Sequence, residues 1–453
     1  MEEKIRQLDN LVWGPWLILL LLGTGIYLMV RLRFLPLKRL KWAFGCAFGK
    51  NGGTGKNGKI SSFSTLTTEL ATTLGTGNIV GVATAMVLGG PGALLWMIIT
   101  SLIGMSTKLV ESMLAVKYRA RNRRGETAGG PMYTCERGMG NKRLGRLMGM
   151  LFAFFAVMAS FGMGNMTQSN SIAEALWVSF GISRAKTGLL VTILTILVVI
   201  GGIQTIGKVT QILVPCMGIF YIAGTLAVIV LHWQRLPEAV AEIFVAACCP
   251  KAVSGGLFGT VYVTAAESLR WGVSRGIFSN EAGLGASGIT SASADTEDYI
   301  KQGYISMTGV FLDTVVFCTL TGLALAVAGV IGTVDKNGNP ITGTELTLAA
   351  FSDTLGEWGS GFVSICIVLF AFATVIGWAY QGEKAFEYLL GGNAGYNVIY
   401  RFVYGFAAFA GCVCSLELVW DFSDICNGLM AVPNLVCVLA LSGEACREIS
   451  DYS

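Results

Sequence analysis

Gly75-Thr76-Gly77-Asn78 interrupts an apolar run that extends from about Phe63 to Leu88, and the reading of this tetrapeptide decides the fold. Two glycines around a threonine, followed by a carboxamide, are poor material for a continuous helix. Glycine costs on the order of 1 kcal/mol relative to alanine in a helix interior, and in lipid the freed backbone groups must find other partners. Such a break is tolerated where it lines a cavity, so these carbonyls and amides are expected to face a small charged solute. The GxGxxxG spacing of Gly75, Gly77 and Gly81 is not a dinucleotide fingerprint, because no strand precedes it and its surroundings are apolar helix. The competing reading, a small-xxx-small packing pair of Gly77 and Gly81, leaves Asn78 unexplained.

Working outward, the composition is that of a polytopic membrane protein. Of 453 residues, 53% are hydrophobic and only 13% charged, with 59 glycines against 9 prolines, and the mean hydropathy is +0.63. The net charge of +4 carries no message about nucleic acid, since the basic residues cluster in loops between apolar runs. The 12 cysteines, Cys216, Cys318, Cys366 and Cys437 among them, show no metal-finger spacing and read as buried free thiols. One histidine, His232, beside Trp233 at the end of an apolar run, and no HExxH leave little room for a metalloenzyme. Met1 to Asn10 lacks the basic start of a signal peptide, so the first apolar run is expected to be retained.

A span needs about 20 apolar residues to cross roughly 30 Å of hydrocarbon. Eleven runs qualify, starting near Val12, Phe63, Gly92, Leu147, Lys186, Val209, Gly255, Gly303, Gly361, Tyr396 and Leu418. Basic residues fill the first loop (Arg31, Arg33, Lys38, Arg39, Lys41, Lys50, Lys56, Lys59) and the loop after the third span (Lys117 to Arg124 and Lys142 to Arg146), while Asp335, Glu345, Asp353 and Glu357, and then Glu417, Asp421 and Asp424, lie on the other face. The positive-inside rule then places the N-terminus outside and the C-terminus in the cytoplasm of a plasma-membrane protein. In the polar segment Gly332 to Trp358, the Asp-Lys-Asn-Gly-Asn-Pro run ending at Pro340 reads as exposed turns.

Setting the first span aside leaves ten, which divide into two sets of five. Each set opens with a glycine-interrupted run: Gly75 to Asn78 in one, Trp271-Gly272-Val273-Ser274-Arg275-Gly276 in the other. Five is odd, so the halves must be inverted, and interrupted segments at matching positions of inverted halves point to a midplane transport site. The fold class is therefore an all-α polytopic membrane protein. Its parts are an N-terminal helix with a basic loop (1–62), two five-helix repeats (63–232 and 255–442), and a cytoplasmic tail (443–453). Further polar residues inside spans are Gln168 and Asn170 with Asn165 and Thr167, Thr374 with Trp378 and Gln381, and the carboxylates Glu69 and Asp313. Arg275 and Glu281 read either as a pair across the turn or as part of a gate.

The stretches Gly75 to Ala83, Gly89-Gly90-Pro91-Gly92-Ala93, Gly129-Gly130-Pro131-Met132-Tyr133, Gln168 to Ala173 and Arg275 to Gly283 make the chain resemble the alanine or glycine:cation symporter family over essentially its whole length. The resemblance implies a LeuT-like inverted-repeat transporter with one extra N-terminal helix, working as a monomer without a cofactor and moving alanine or glycine with sodium. It further implies a sodium site from the carbonyls of Ala71 and Leu74 and the hydroxyl of Thr374. The fold's usual second hydroxyl falls at Val375, which has none. Thr73 and Asn78 mark a position for a second ion. Gly75, Thr76, Gly77, Gly276 and Ile277 line the substrate site, Gln168 and Asn280 orient the substrate, and Phe278 and Trp378 limit its size. The alternative is a proton-coupled permease with Glu69 as carrier. A non-transporting sensor or an enzyme lacks, respectively, a signalling domain and a catalytic constellation.

Overall fold

The computed structural model describes residues 7–9, 11–49, 60–248, 252–254, 261–334, 338, 340–414 and 417–452. Lys50, Lys56, Lys59, Gly255 and Asp335, read above as loop charges and a span start, lie outside them.

The chain is helical almost throughout. Helix α1 (Pro15–Arg31) begins on a proline, whose missing N–H costs nothing at a first helical position. The chain then turns through Arg33 and Phe34, both at positive φ, into the short α2 (Leu40–Phe48). Helix α3 (Ser62–Thr73) is capped by Ser61, whose Oγ accepts the amide of Ser64 at 3.1 Å. It ends at the predicted break, and after one tight turn (Thr76–Asn78) α4 (Val80–Leu88) follows. Next come α5 (Ala93–Lys117), a two-strand hairpin of β1 (Ala120–Arg121) and β2 (Thr127–Ala128), α6 (Pro131–Gly138) and α7 (Lys142–Phe161). A π-turn (Gly162–Met166) joins α7 to α8 (Thr167–Phe180), and α9 (Arg184–Ile200), α10 (Gly202–Leu231) and α11 (Leu236–Cys248) follow.

The second half holds α12 (Ala265–Asn280), α13 (Ala286–Ser291), α14 (Tyr299–Val310), a π-stretch (Phe311–Cys318), α15 (Thr319–Ala328), α16 (Gly343–Leu355), α17 (Glu357–Leu389), α18 (Asn397–Val413) and α19 (Glu417–Asp451). Six described helical segments are long and apolar enough to cross a membrane, and α1 is a shorter apolar one. The outward faces carry apolar side chains, as at Ile212, Ile219 and Leu226 along α10, which are exposed at seven-residue spacing. That is the surface of a multi-pass protein seated in lipid.

One expectation is corrected. The second interruption does not fall at Gly272 and Gly276: α12 runs through both, and the break comes at Glu281 to Gly285, where Glu281, Gly283 and Gly285 take φ of 57°, 91° and 84°. Gly272 instead permits close packing, since a Cβ there would sit 2.5 Å from the carbonyl oxygen of Ala93. The rest of the polar segment Gly332 to Trp358 holds a helix. The turn signal around Pro340 is followed by α16, which buries Leu346, Leu348, Ala350 and Phe351 against α17 and α4.

The two broken segments occupy the centre. Helix α3 packs on α10, α14 and α17, while α12 and α13 pack on α5, and α12 also touches α4.

Candidate functional site

At the first break, the amides that would close the helical ladder turn elsewhere. Gly75 N donates to Thr73 O (2.9 Å) and to Asn78 Oδ1 (3.0 Å), Thr76 N to Gln168 Oε1 (3.2 Å), and Asn78 N to Gly75 O (3.3 Å). The carbonyls of Ala71, Thr72 and Leu74 thereby lose their i+4 donors. Thr374 Oγ1 on α17 sits against the first of these, 3.0 Å from Ala71 O and 3.1 Å from its own Phe370 O. Gly75 must be a glycine, because a Cβ would fall 2.5 Å from Thr374 Oγ1. Carbonyls and a hydroxyl in a buried cleft form the hard-oxygen donor set that suits sodium. The Thr76 hydroxyl is buried without a partner and Thr73 bonds back to Leu70 O, so Thr73 offers its hydroxyl to no neighbouring helix.

Asn78 has a holding role. Its Oδ1 takes the Gly75 amide, and its Nδ2 donates to Asp313 Oδ1 (2.7 Å) and Asp313 O (3.2 Å), while its carbonyl accepts Thr321 Oγ1. Asp313 also accepts from Ser279 Oγ and Thr314 Oγ1, so one buried carboxylate ties the first break to α12. Gly77 meets Phe278 and Ser279 directly, which brings the two broken segments face to face.

Gln168 is aimed at the break by the π-turn before it: its Nε2 donates to Met163 O (3.1 Å), leaving Oε1 for the Thr76 amide. Asn165 and Asn170, by contrast, bond to the carbonyls of Tyr404 and Gly411 on α18. Trp378 is fully buried, with its ring against Gly164 and its Nε1 donating to Glu281 Oε1 at 2.9 Å. Asn280 faces structural partners, donating to Thr314 Oγ1 and accepting from Ala282 N. Gly276 and Ile277 lie buried on α12 beside Phe278. Arg275 pairs with Asp424 at 3.2 Å, and its guanidinium lies over the Trp271 and Phe278 rings. The first of the two readings, an Arg275–Glu281 pair across the turn, is not what forms: Glu281 turns inward to Trp378, Thr72 and Ser287.

Residues 1–453 match the Sodium:alanine symporter family. The chain belongs to that family. The sodium/alanine symporter AgcS of Methanococcus maripaludis is 46% identical over 452 residues, covering 99% of this chain and 96% of that protein. A probable sodium/glutamine symporter, GlnT of Bacillus subtilis, is 36% identical over 456 residues, covering 100% and 91%. Among solved structures, MhsT in complex with L-phenylalanine superposes with a TM-score of 0.56 at 16% identity, over 88% of this chain and 99% of that one. At that identity the match speaks for the fold alone.

This sodium:alanine symporter family member also holds charges that the sequence reading passed over. Lys108 and Glu111 on α5 are 1% and 2% exposed. Glu69, placed among the substrate-binding residues by the resemblance, is also buried: its Oε1 accepts from Ser291 on α13 and Ser306 on α14, and its Oε2 has no hydrogen-bond partner among the described residues. A lysine and a glutamate three residues apart in an apolar run were the available signal. Of the cysteines, all described ones are free, but Cys216, Cys248 and Cys414 are exposed, against the expectation of burial.

Proposed function

We propose that this symporter carries alanine or glycine into the cell with one sodium ion. The reading takes eleven spans in a 5+5 inverted repeat after α1, the N-terminus outside and the C-terminus in the cytoplasm, and a functional monomer. The observation that carries it is the contact of Thr374 Oγ1 with the freed Ala71 carbonyl beside Gly75. It gives the first break an oxygen cluster for a cation, with the unpartnered Thr76 hydroxyl close by. An amino-acid zwitterion brings both its charges. Its carboxylate suits amides at the start of the half-helix α4, and its ammonium suits unwound carbonyls. Phe278 and the immobilised Trp378 leave room for a small side chain, in contrast to the glutamine named for the Bacillus relative.

Moving one positive charge inward is worth about 2.3 kcal/mol per 100 mV, enough for roughly 50-fold accumulation of a neutral solute. The test is uptake of labelled alanine into liposomes holding the purified protein. An inward sodium gradient should drive it, and glycine should compete while glutamine does not. Uptake that follows a proton gradient without sodium would replace this reading with the proton-coupled permease, and Glu69→Gln would then abolish it.

A further inference from the structure

The break in the second segment is bridged by a cation that belongs to the chain. Lys108 Nζ donates to the carbonyl of Asn280, the last residue of α12, at 3.3 Å, and to the hydroxyl of Ser287, near the start of α13. Ser287 Oγ in turn donates to Glu281 Oε2 at 3.1 Å. That oxygen also accepts Thr72 Oγ1 (3.3 Å), and Oε1 accepts the Trp378 indole. A helix-end carbonyl, a hydroxyl and, one bond further, a carboxylate gather around one positive charge. This is the kind of oxygen environment in which unwound helices hold a coupling ion. At the first break the groups in the equivalent setting, Ala71 O and Thr374 Oγ1, are neutral and meet no side-chain cation among the described residues.

We infer that Lys108 is a tethered cation that takes the place of an ion at the second break, so that only the first break recruits sodium and the transport ratio is one sodium per amino acid. The inference rests on the sodium symport reading above. The charge balance supports it. Lys108 is buried together with the carboxylates Glu69, Glu111 and Glu281, all at most 2% exposed. Glu69 Oε2 and Glu111 Oε1 have no hydrogen-bond partner. A lysine present only to fill space would carry its ammonium toward water along its flexible stem. This one ends 1% exposed, on both sides of a helix break.

The test is the sodium dependence of alanine uptake in proteoliposomes. The wild type should respond hyperbolically, with a Hill coefficient of about 1 for a single site. Lys108→Met vacates the second break while keeping side-chain volume. Its curve should become sigmoidal with a Hill coefficient approaching about 2, and half-saturation should shift on the order of a hundredfold upward. Lys108→Met/Glu281→Gln removes both charges and should return the coefficient to about 1. A Lys108→Met protein with the wild-type curve overturns the inference. Where that variant does not assemble, the wild type still decides: sodium-driven uptake with a Hill coefficient of about 2 overturns the tethered cation and leaves symport standing. A wild type indifferent to sodium removes the symport reading itself.

Discussion

At Gly75, a requirement of the backbone and a requirement of the proposed ion site fall on one atom. An added Cβ would lie 2.5 Å from Thr374 Oγ1 and 3.2 Å from Gln168 Oε1, so Gly75→Ala should push Thr374 off the Ala71 carbonyl. Half-saturating sodium is expected to rise by about tenfold or more, the size of one lost hydrogen-bonding oxygen. Thr374→Ala should do the same while leaving alanine affinity at saturating sodium within about twofold. Equal losses in both measurements would reduce Thr374 to packing. The break at Gly75 was legible because a glycine pair followed by a carboxamide suits a continuous helix poorly, whereas a lone threonine in a span more often bonds back to its own helix, as Thr374 does to Phe370 O. Lys108 was as visible, three residues from Glu111. A span judged by its mean apolarity tolerates two charges, and the reading stopped at the span. Asn78 was singled out correctly as a residue needing a partner, but only the coordinates supply Gly75 and Asp313 as those partners.

At the scale of elements, glycine is ambiguous. In α12 the sequence offered Gly272 and Gly276 as the interruption and the structure uses them for packing, with the break four residues or more beyond, where φ turns positive. One-dimensional pattern cannot separate a glycine that opens a helix from one that admits a neighbour, since both remove the same Cβ. The π-turn of Gly162–Met166 was invisible for a related reason: it displaces hydrogen bonds without changing the apolar period. Yet it frees the Met163 carbonyl for Gln168 and seats Trp378 against Gly164, where a Cβ would come within 2.5 Å of the indole. Gly164→Ala should therefore drive the ring toward the pocket. The expected outcome is weaker alanine uptake with glycine affected less, changing their KM ratio by about tenfold, as for one methyl group in a tight pocket. A uniform loss for both would show that the bulge supports folding only.

Across the whole molecule, the far end from the Arg275–Asp424 pair carries a second charged network that joins separate parts of the bundle. Lys384 Nζ on α17 lies 3.0 Å from Glu387 Oε2 and 3.4 Å from Glu126 Oε2 on the β1–β2 hairpin. Arg401 of α18 holds Glu383, at 2.6 Å through Nε, and Asn397 bonds both Glu383 and Glu387. Glu126, Glu383, Lys384 and Arg401 border a cavity of about 280 Å³ that also touches Arg124, Gln204 and Tyr380. With α17 also carrying Thr374 and Trp378, the network ties the hairpin to the helix that contacts both breaks. Partial burial opposes ionisation of Glu126, but Lys384 and the Asn122 carboxamide outweigh it and hold the carboxyl below its usual value of 4.5. The pairing therefore contributes fully above that value and is lost as pH falls through the lowered one. Glu126 is 42% exposed, so solvent screening keeps the stability cost of Glu126→Gln within about 1 kcal/mol. Its effect should appear locally, as several-fold faster amide exchange over residues 120–128 at neutral pH. The ratio of variant to wild-type exchange should fall to about one once the pH drops below the lowered carboxyl range, because a protonated Glu126 no longer pairs with Lys384. A ratio near one already at neutral pH would mean that the hairpin is held by its backbone alone and that the Lys384 network does not brace it.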